Sequence, residues 1–292
     1  MLHFLLIFPR LLSAQRILDE LTYAVWLNTN GTIQSAHVGW TDEYGDTFKL
    51  AFVDEQSDPM DFLLDDPKPE VRVTNDFQTA AFNDFMNRFE NHTDIGNVKI
   101  TVPNVTASME STLRRNPKVL TRIETLSFNS YDQQLIREML RRCIGSPSKL
   151  QISFFAFHQR SIEILGSQFL DEPKIRGVGE LNMKTIESDV SDEQLDRLSC
   201  PRILIRSSSV SSVGINRILR EWQDGRRRGM TYLNIVSDDL QKAEIMSGVP
   251  KRPLQRGVWE IKNRFGHVAT VSVSRVPSNF FEPKPTFEFS LQ

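Results

Sequence analysis

The sequence predicts an α/β protein: an irregular leucine-rich-repeat-like stack of strand–helix units, with an N-terminal β-meander and a C-terminal β-hairpin cap. Three observations predict it. Short strand-like runs centred near Ile100, Thr125, Ile152, Leu181, Leu204 and Leu233 recur every ~23–30 residues, the range of α/β repeats. Segments of helical periodicity separate them. Upstream, the pattern alternates with a period of two. One strand–helix unit cannot cover its own apolar face, so neighbours must share a core, and short crossovers through helices favour parallel strands. A compact doubly wound sheet is the competing architecture, but its near-continuous Val/Ile runs and glycine-rich first turn are not found here.

Taken in order, residues 1–22 read as one helical segment, apolar and then amphipathic through Ile17, Leu18 and Leu21. Residues 23–74 read as a meander and a loop. Tyr23–Leu27 and Ile33–Trp40 flank Asn30-Gly31, the strongest short hairpin signal. Gly45 then turns the chain into Thr47–Val53, where Phe48, Leu50 and Phe52 share a face. Asp54–Pro69 is a loop rich in Asp and Pro, without the ligand order of a calcium loop.

Residues 75–250 carry the repeats. A stripe of Phe77, Ala81, Phe85 and Phe89 marks the first helix, and helices follow at Ala107–Arg115, Asp132–Cys143, Ser161–Leu170 and Asp192–Leu198. Strands are predicted at Asn97–Val102, Arg122–Phe128, Lys149–Phe155, Glu180–Thr185 and Pro201–Arg206. Residues 251–292 form the cap. There Gly257–Ser274 is a hairpin, and Thr286–Leu291 is an added edge strand that, with the hairpin, covers the open end of the stack.

The most sharply defined unit runs from Ser209 to Ile235. Ile215, Ile218, Leu219 and Trp222 fall at i, i+3, i+4 and i+7, one face of a helix. Ser211 or Ser212 suits its N-cap and Gly225 its left-handed C-terminal cap. Met230–Val236 alternates as a strand. Arg226, Arg227 and Arg228 lie in the connection, with Lys251, Arg252 and Arg256 near in sequence. Arg226, Arg227 and Arg228 are the candidate partner-binding residues, an anion or acidic-partner contact at the edge of the stack; a solvated charged loop is the simpler explanation of such a run. Ser207–Ser212 reads as a loop and cap before it reads as a phosphorylation site.

These residues also carry a family resemblance. Ile215-Asn216-Arg217-Ile218-Leu219-Arg220-Glu221-Trp222-Gln223-Asp224-Gly225, then Leu233 and Ile235, then Ile245-Met246-Ser247-Gly248, then the run Lys262–Val271, follow one another in order. The series resembles the nematode F-box-associated domain, type 2, over about residues 203–273. The resemblance implies a substrate-receptor role in a cullin-based ubiquitin ligase. It also implies an F-box before the domain, docked on a Skp-type adaptor. An F-box needs about twice the length available before Tyr23, so only a remnant such as Phe8–Leu12 is expected and adaptor binding is not carried over.

The chain has 292 residues, a near-neutral balance of 35 basic against 37 acidic side chains, and two cysteines. Near-neutrality argues against a non-specific nucleic-acid binder. Cys143 and Cys200 lie beside apolar helical positions and read as reduced core thiols, which favours an intracellular compartment, cytoplasmic or nuclear. No apolar run is long enough to span a bilayer. Met1–Leu12 is apolar and Leu12-Ser13-Ala14 could serve a signal peptidase, but no Lys or Arg precedes the run and it breaks at Pro9-Arg10. The five histidines are scattered, and no zinc, nucleophile-elbow or phosphate-loop motif occurs.

The expectation is a protein–protein recognition module, not an enzyme, with an unknown protein substrate and no cofactor or metal. A cytosolic enzyme without a recognisable motif is the alternative. A secreted binding protein is the other, should residues 1–14 be a signal peptide.

Overall fold

Strand-length runs with apolar side chains on alternate positions are stable only if one face is covered. That condition is met here by one large sheet. The computed structural model describes residues 17–27, 32–55, 70–73, 76–117, 119–153, 164–276 and 284–292. Among the described residues the fold is mixed α/β, with a 14-stranded sheet and six α-helices.

The chain enters at β1 (Ile17–Leu27), which pairs antiparallel with β2 (Ile33–Asp42). β3 (Thr47–Asp54) pairs antiparallel with β2, and β4 (Glu70–Val73) lies parallel to β3 at the edge. On its other side β1 is parallel to β5 (Asp94–Thr101). Then β6 (Arg122–Asn129), β7 (Lys149–Ser153), β8 (Glu180–Ser188), β9 (Arg202–Ser207) and β10 (Tyr232–Val236) follow in chain order, each parallel to the last. β14 (Lys284–Leu291), β13 (Val268–Val276), β12 (Val258–Lys262) and β11 (Lys251–Gln255) extend the sheet antiparallel.

The helices are α1 (Phe77–Asn91), α2 (Ala107–Leu113), α3 (Gln133–Arg141), α4 (Asp192–Arg197), α5 (Ser212–Gln223) and α6 (Lys242–Ile245). Each of the first five starts on a side-chain cap: Asp76, Thr106, Asp132, Ser191 and Ser211 accept from free backbone amides of the first turn, as such residues do. From β5 to β10 the parallel strands follow one another without a reversal, so right-handed crossovers put the helices that connect them on one face. A doubly wound sheet would reverse.

That face holds the core. Leu21, Val98, Leu126, Leu150, Leu181, Ile203, Leu233, Phe289, Val271 and Trp259 stand in register across ten strands. All are buried. A second row runs through Tyr23, Ile100, Phe128 and Ile152, and resumes at Met183, Ile205, Ile235 and Phe287. Burying each such side chain stabilises by about 1.5–3 kcal/mol. Helix α5 adds Ile215, Ile218, Leu219 and Trp222. The Trp222 ring meets Phe289 edge-on at 5.0 Å.

Most elements fall where the sequence places them, and several do not. Residues 17–22 are strand, not helix, because a register shift between Leu18 and Glu20 turns Leu18 and Leu21 to the same face and imitates helical spacing. Residues 1–16 lie outside the described residues, as do the hairpin tip at 28–31 and most of the acidic loop. The described part of the expected helix Ser161–Leu170 is not α-helical. Gln168–Asp171 and Pro173–Gly177 form two 3-10 turns instead, since Pro173 cannot continue a helix from the residues before it. Thr286–Leu291 belongs to β14, which is interior: Phe287 and Phe289 continue both apolar rows between β10 and β13. The hairpin therefore reaches the stack through β14. Among the described residues the edges of the sheet are β4 and β11, neither of them expected. All of β11 is exposed, and Lys251, Arg252 and Pro253 make it a poor template for another strand.

Trp222→Ala should cost ~3–5 kcal/mol, as large aromatic deletions do, and is checked by denaturant unfolding. A loss under ~1 kcal/mol would show that the Trp222–Phe289 contact does not hold α5 to the sheet. Burial pushes the Cys143 thiol up to about 12, with Lys174 pulling slightly the other way, and burial pushes Cys200 up to about 11. Both should label with a thiol reagent slowly in the native protein and fast once unfolded; fast native labelling of either would contradict the packing.

Candidate partner-binding surface

The face opposite the helices carries the other half of each strand. Glu20, Asn97, Thr125, Lys149, Glu180, Arg202, Tyr232, Ser290, Thr270, Glu260 and Arg252 stand in one cross-strand row. All are half-buried or exposed. Charges along the row are matched to their neighbours. Glu180 takes Lys149 Nζ at 3.1 Å and Arg202 Nε at 2.9 Å. Partial burial opposes ionisation of Glu180, but hydrogen bonds and charge from Arg202 and Lys149 outweigh it and hold the carboxyl below its usual range. The Arg202 guanidinium lies 4.8 Å from the Tyr232 ring centre, and the Tyr232 hydroxyl donates to Glu288 Oε1 at 3.2 Å. Burial, with the Glu288 charge and this bond, pushes the Tyr232 phenol up. Such cross-strand pairs contribute about 0.2–1 kcal/mol each. The middle of the face is uncharged and hydrogen-bonding: Ser127, Gln151 and Asn182 stand in line across β6, β7 and β8.

The three arginines singled out by the sequence sit at a different place, the turn between α5 and β10, and they do three different things. Arg227 is largely withdrawn, its side chain 13% exposed. It donates to Glu221 Oε2 at 2.8 Å, to Asp196 Oδ1 at 2.7 Å and to the backbone oxygens of Asp196 and Leu198 at 2.6 and 3.2 Å. It ties two turns together. Arg226 is 63% exposed and pairs with Asp224 at 3.2 Å. Arg228 Nε donates to Gly225 O at 3.2 Å, and its guanidinium lies 4.3 Å from the centre of the Phe265 ring.

All three line a cavity of about 340 Å³ whose other walls include Arg197, Leu198, Cys200, Ile203 and Met230. Of the basic residues near in sequence, Lys251 donates to Met246 O at 2.6 Å and Arg252 pairs with Glu260 at 2.7 Å on the outermost strands. Neither lines the cavity. Sequence reasoning missed Arg264 and Phe265, which the β12–β13 tip brings against the turn. The signal was present in the run Lys262–His267, which carries three cationic or titratable side chains around one aromatic.

Among the described residues no group of three or more His, Cys, Asp or Glu could hold a metal ion, and no helix is long and apolar enough to cross a membrane. No family model matches the chain. No curated protein and no solved structure matches it either.

Removing Arg227 should therefore act on stability, and removing Arg226 should not. Arg227→Ala leaves Glu221 and Asp196 short of a cation and two carbonyls short of a donor. The expected cost is ~1–3 kcal/mol, below the value for a fully buried pair because water reaches the site. Arg226→Ala should stay within ~0.5 kcal/mol of the parent. Equal melting temperatures for the two variants would overturn the assignment.

Proposed function

We propose that the chain is a protein–protein recognition module, the substrate-receptor half of a cullin-type ubiquitin-ligase assembly, built as an irregular leucine-rich-repeat-like stack. The observation that carries this reading is the sheet face on which, among the described residues, no helix lies. Fourteen strands at ~4.8 Å spacing, with about five residues of each on display at ~3.3 Å per residue, span roughly 60 Å by 17 Å. That is about 1,000 Å², more than the ~800 Å² each partner contributes to a standard interface. Its side chains offer hydrogen bonds and matched charges, as interface rims do.

The resemblance over residues 203–273 supports the same reading, because its motif residues have structural duties. Asn216 Nδ2 donates to Ile245 O and Ser247 O at 2.7 and 2.8 Å, and Arg220 donates to Ser247 O at 2.9 Å. Gly225 and Gly248 have φ of 72° and 63°, where glycine is at ease. A motif of this kind maintains a scaffold and leaves the helix-free face to vary with the substrate.

The test places bulk on that face. Thr125 and Gln151 are half-buried there. Thr125→Arg with Gln151→Arg should leave the melting temperature within a degree or two of the parent, since it touches no core contact. Bead-bound parent and variant are exposed to nematode extract and their captured proteins are compared by quantitative mass spectrometry. Proteins retained by the parent and lost by the variant are expected. An unchanged set would sink the assignment of this face.

A further inference from the structure

Beyond the sheet face, the α5–β10 turn carries a second surface with a different charge balance. The β12–β13 tip is seated on this turn: Arg264 N donates to Gln223 O at 2.9 Å. A Cβ at Gly225 would come within 2.2 Å of the Phe265 ring, so the ring fills the space only glycine leaves. The Arg228 and Arg264 guanidinium carbons then lie 4.3 and 4.8 Å from the centre of that one ring. Two cations are thereby held within about 10 Å of each other, an arrangement that repels until an anion joins it.

The nearby carboxylates are committed elsewhere. Glu221 and Asp196 pair with Arg227, and Asp224 pairs with Arg226. Among the described residues, no carboxylate forms an ion pair with Arg228 or Arg264. Phe265 remains 45% exposed. A guanidinium lying over an aromatic face keeps its edge N–H groups available for a carboxylate fork. Arg228 also lines the 340 Å³ cavity, whose floor includes Leu198, Ile203 and Met230.

We propose that Arg228, Arg264 and Phe265 form a docking site for an acidic segment of a partner protein, with the adjoining cavity taking an apolar side chain of that segment. The chemistry commits the occupant. Surplus guanidinium on a chain whose formal net charge is −2 steers an acidic peptide to this spot. Arg226 strengthens the field but is already paired, so its share is smaller.

The experiment uses the full chain and a fluorescein-labelled peptide of glutamates around a single leucine, read by anisotropy. The parent should bind it, and binding should weaken severalfold as salt rises from about 50 to about 300 mM. Arg228→Gln and Arg264→Gln should each weaken binding about fivefold or more, the range of lost charge contacts. Arg252→Gln, on the edge strand β11 and already paired with Glu260, should not. Replacing the glutamates by glutamines should abolish binding, and replacing the leucine by glycine should weaken it. Equal affinity of the arginine variants and the parent, with melting temperatures matched, would overturn the site. So would glutamine-peptide binding as tight as glutamate, or capture of labelled single-stranded RNA in preference to the peptide. Loss of binding by Thr125→Arg with Gln151→Arg would instead locate the contact on the sheet face.

Discussion

A helix that ends at the edge of a parallel sheet leaves its last carbonyls without partners of their own, and this fold depends on how they are satisfied. The following unit supplies the donor. Thr121 Oγ1 reaches back to Phe89 O and His92 O at 3.1 and 3.0 Å. Arg142, buried beyond α3, reaches Leu113 O and Arg115 O after α2. Lys174 reaches Arg141 O and Cys143 O, and Ser199 reaches Arg176 O. Arg227 reaches Asp196 O and Leu198 O. Cations recur in this role because the C-terminal end of a helix favours positive charge. Each turn is thus fastened to the one before it, and a stack in which units otherwise meet only their neighbours becomes continuous.

The same geometry explains what the sequence conceals. Strands β6 through β10 and helices α1 to α5 were legible because their apolar spacing is regular and their caps are Ser, Thr or Asp. The start of β1 was not. Its irregular register is shared with β5 and β6: the pairs Leu18↔Ile95 and Glu20↔Asn97 skip one residue each, and so do Ile95↔Ile123 and Asn97↔Thr125. Gly96 allows it, since a Cβ there would come within 2.8 Å of Asp19 O. Three strands bulge together and keep their pairing, while each one-dimensional pattern shows apolar residues three apart. Sequence periodicity cannot tell that from a helix turn. β14 was misplaced for a related reason: alternation identifies a strand but does not say which neighbours it has.

For the candidate site the limit was of another kind. Three consecutive arginines invite one explanation, and the structure assigns three, because adjacent residues in a turn point in different directions. Arg227 closes the stack, Arg226 answers Asp224 and Arg228 rests on an aromatic ring from a hairpin about forty residues later. The pairing of Arg228 with Phe265 is a tertiary fact. No spacing rule connects the two, although the aromatic amid cations at Lys262–His267 was visible.

The two surfaces differ in what they can select. Along the helix-free face several charges are paired in place, Glu180 between Lys149 and Arg202 and Glu20 against Lys99 at 2.8 Å. A partner there would gain little from long-range attraction and would have to match a pattern of hydrogen-bonding side chains, so that such a face would discriminate by fit. Its backbone is set by two apolar rows on the opposite side, which leaves side-chain identity as the freedom available for recognition. The turn surface has the reverse character. There the Arg228 and Arg264 guanidinium groups lie against Phe265 without a carboxylate partner among the described residues, and attraction extends about a Debye length, ~8 Å at physiological salt. A protein that carried both an acidic segment and a complementary face would be captured first at the turn and then sorted on the sheet. The turn follows α5, which packs on the sheet through Trp222 against Phe289, so the two contacts would lie on neighbouring elements and the second would form at high effective concentration.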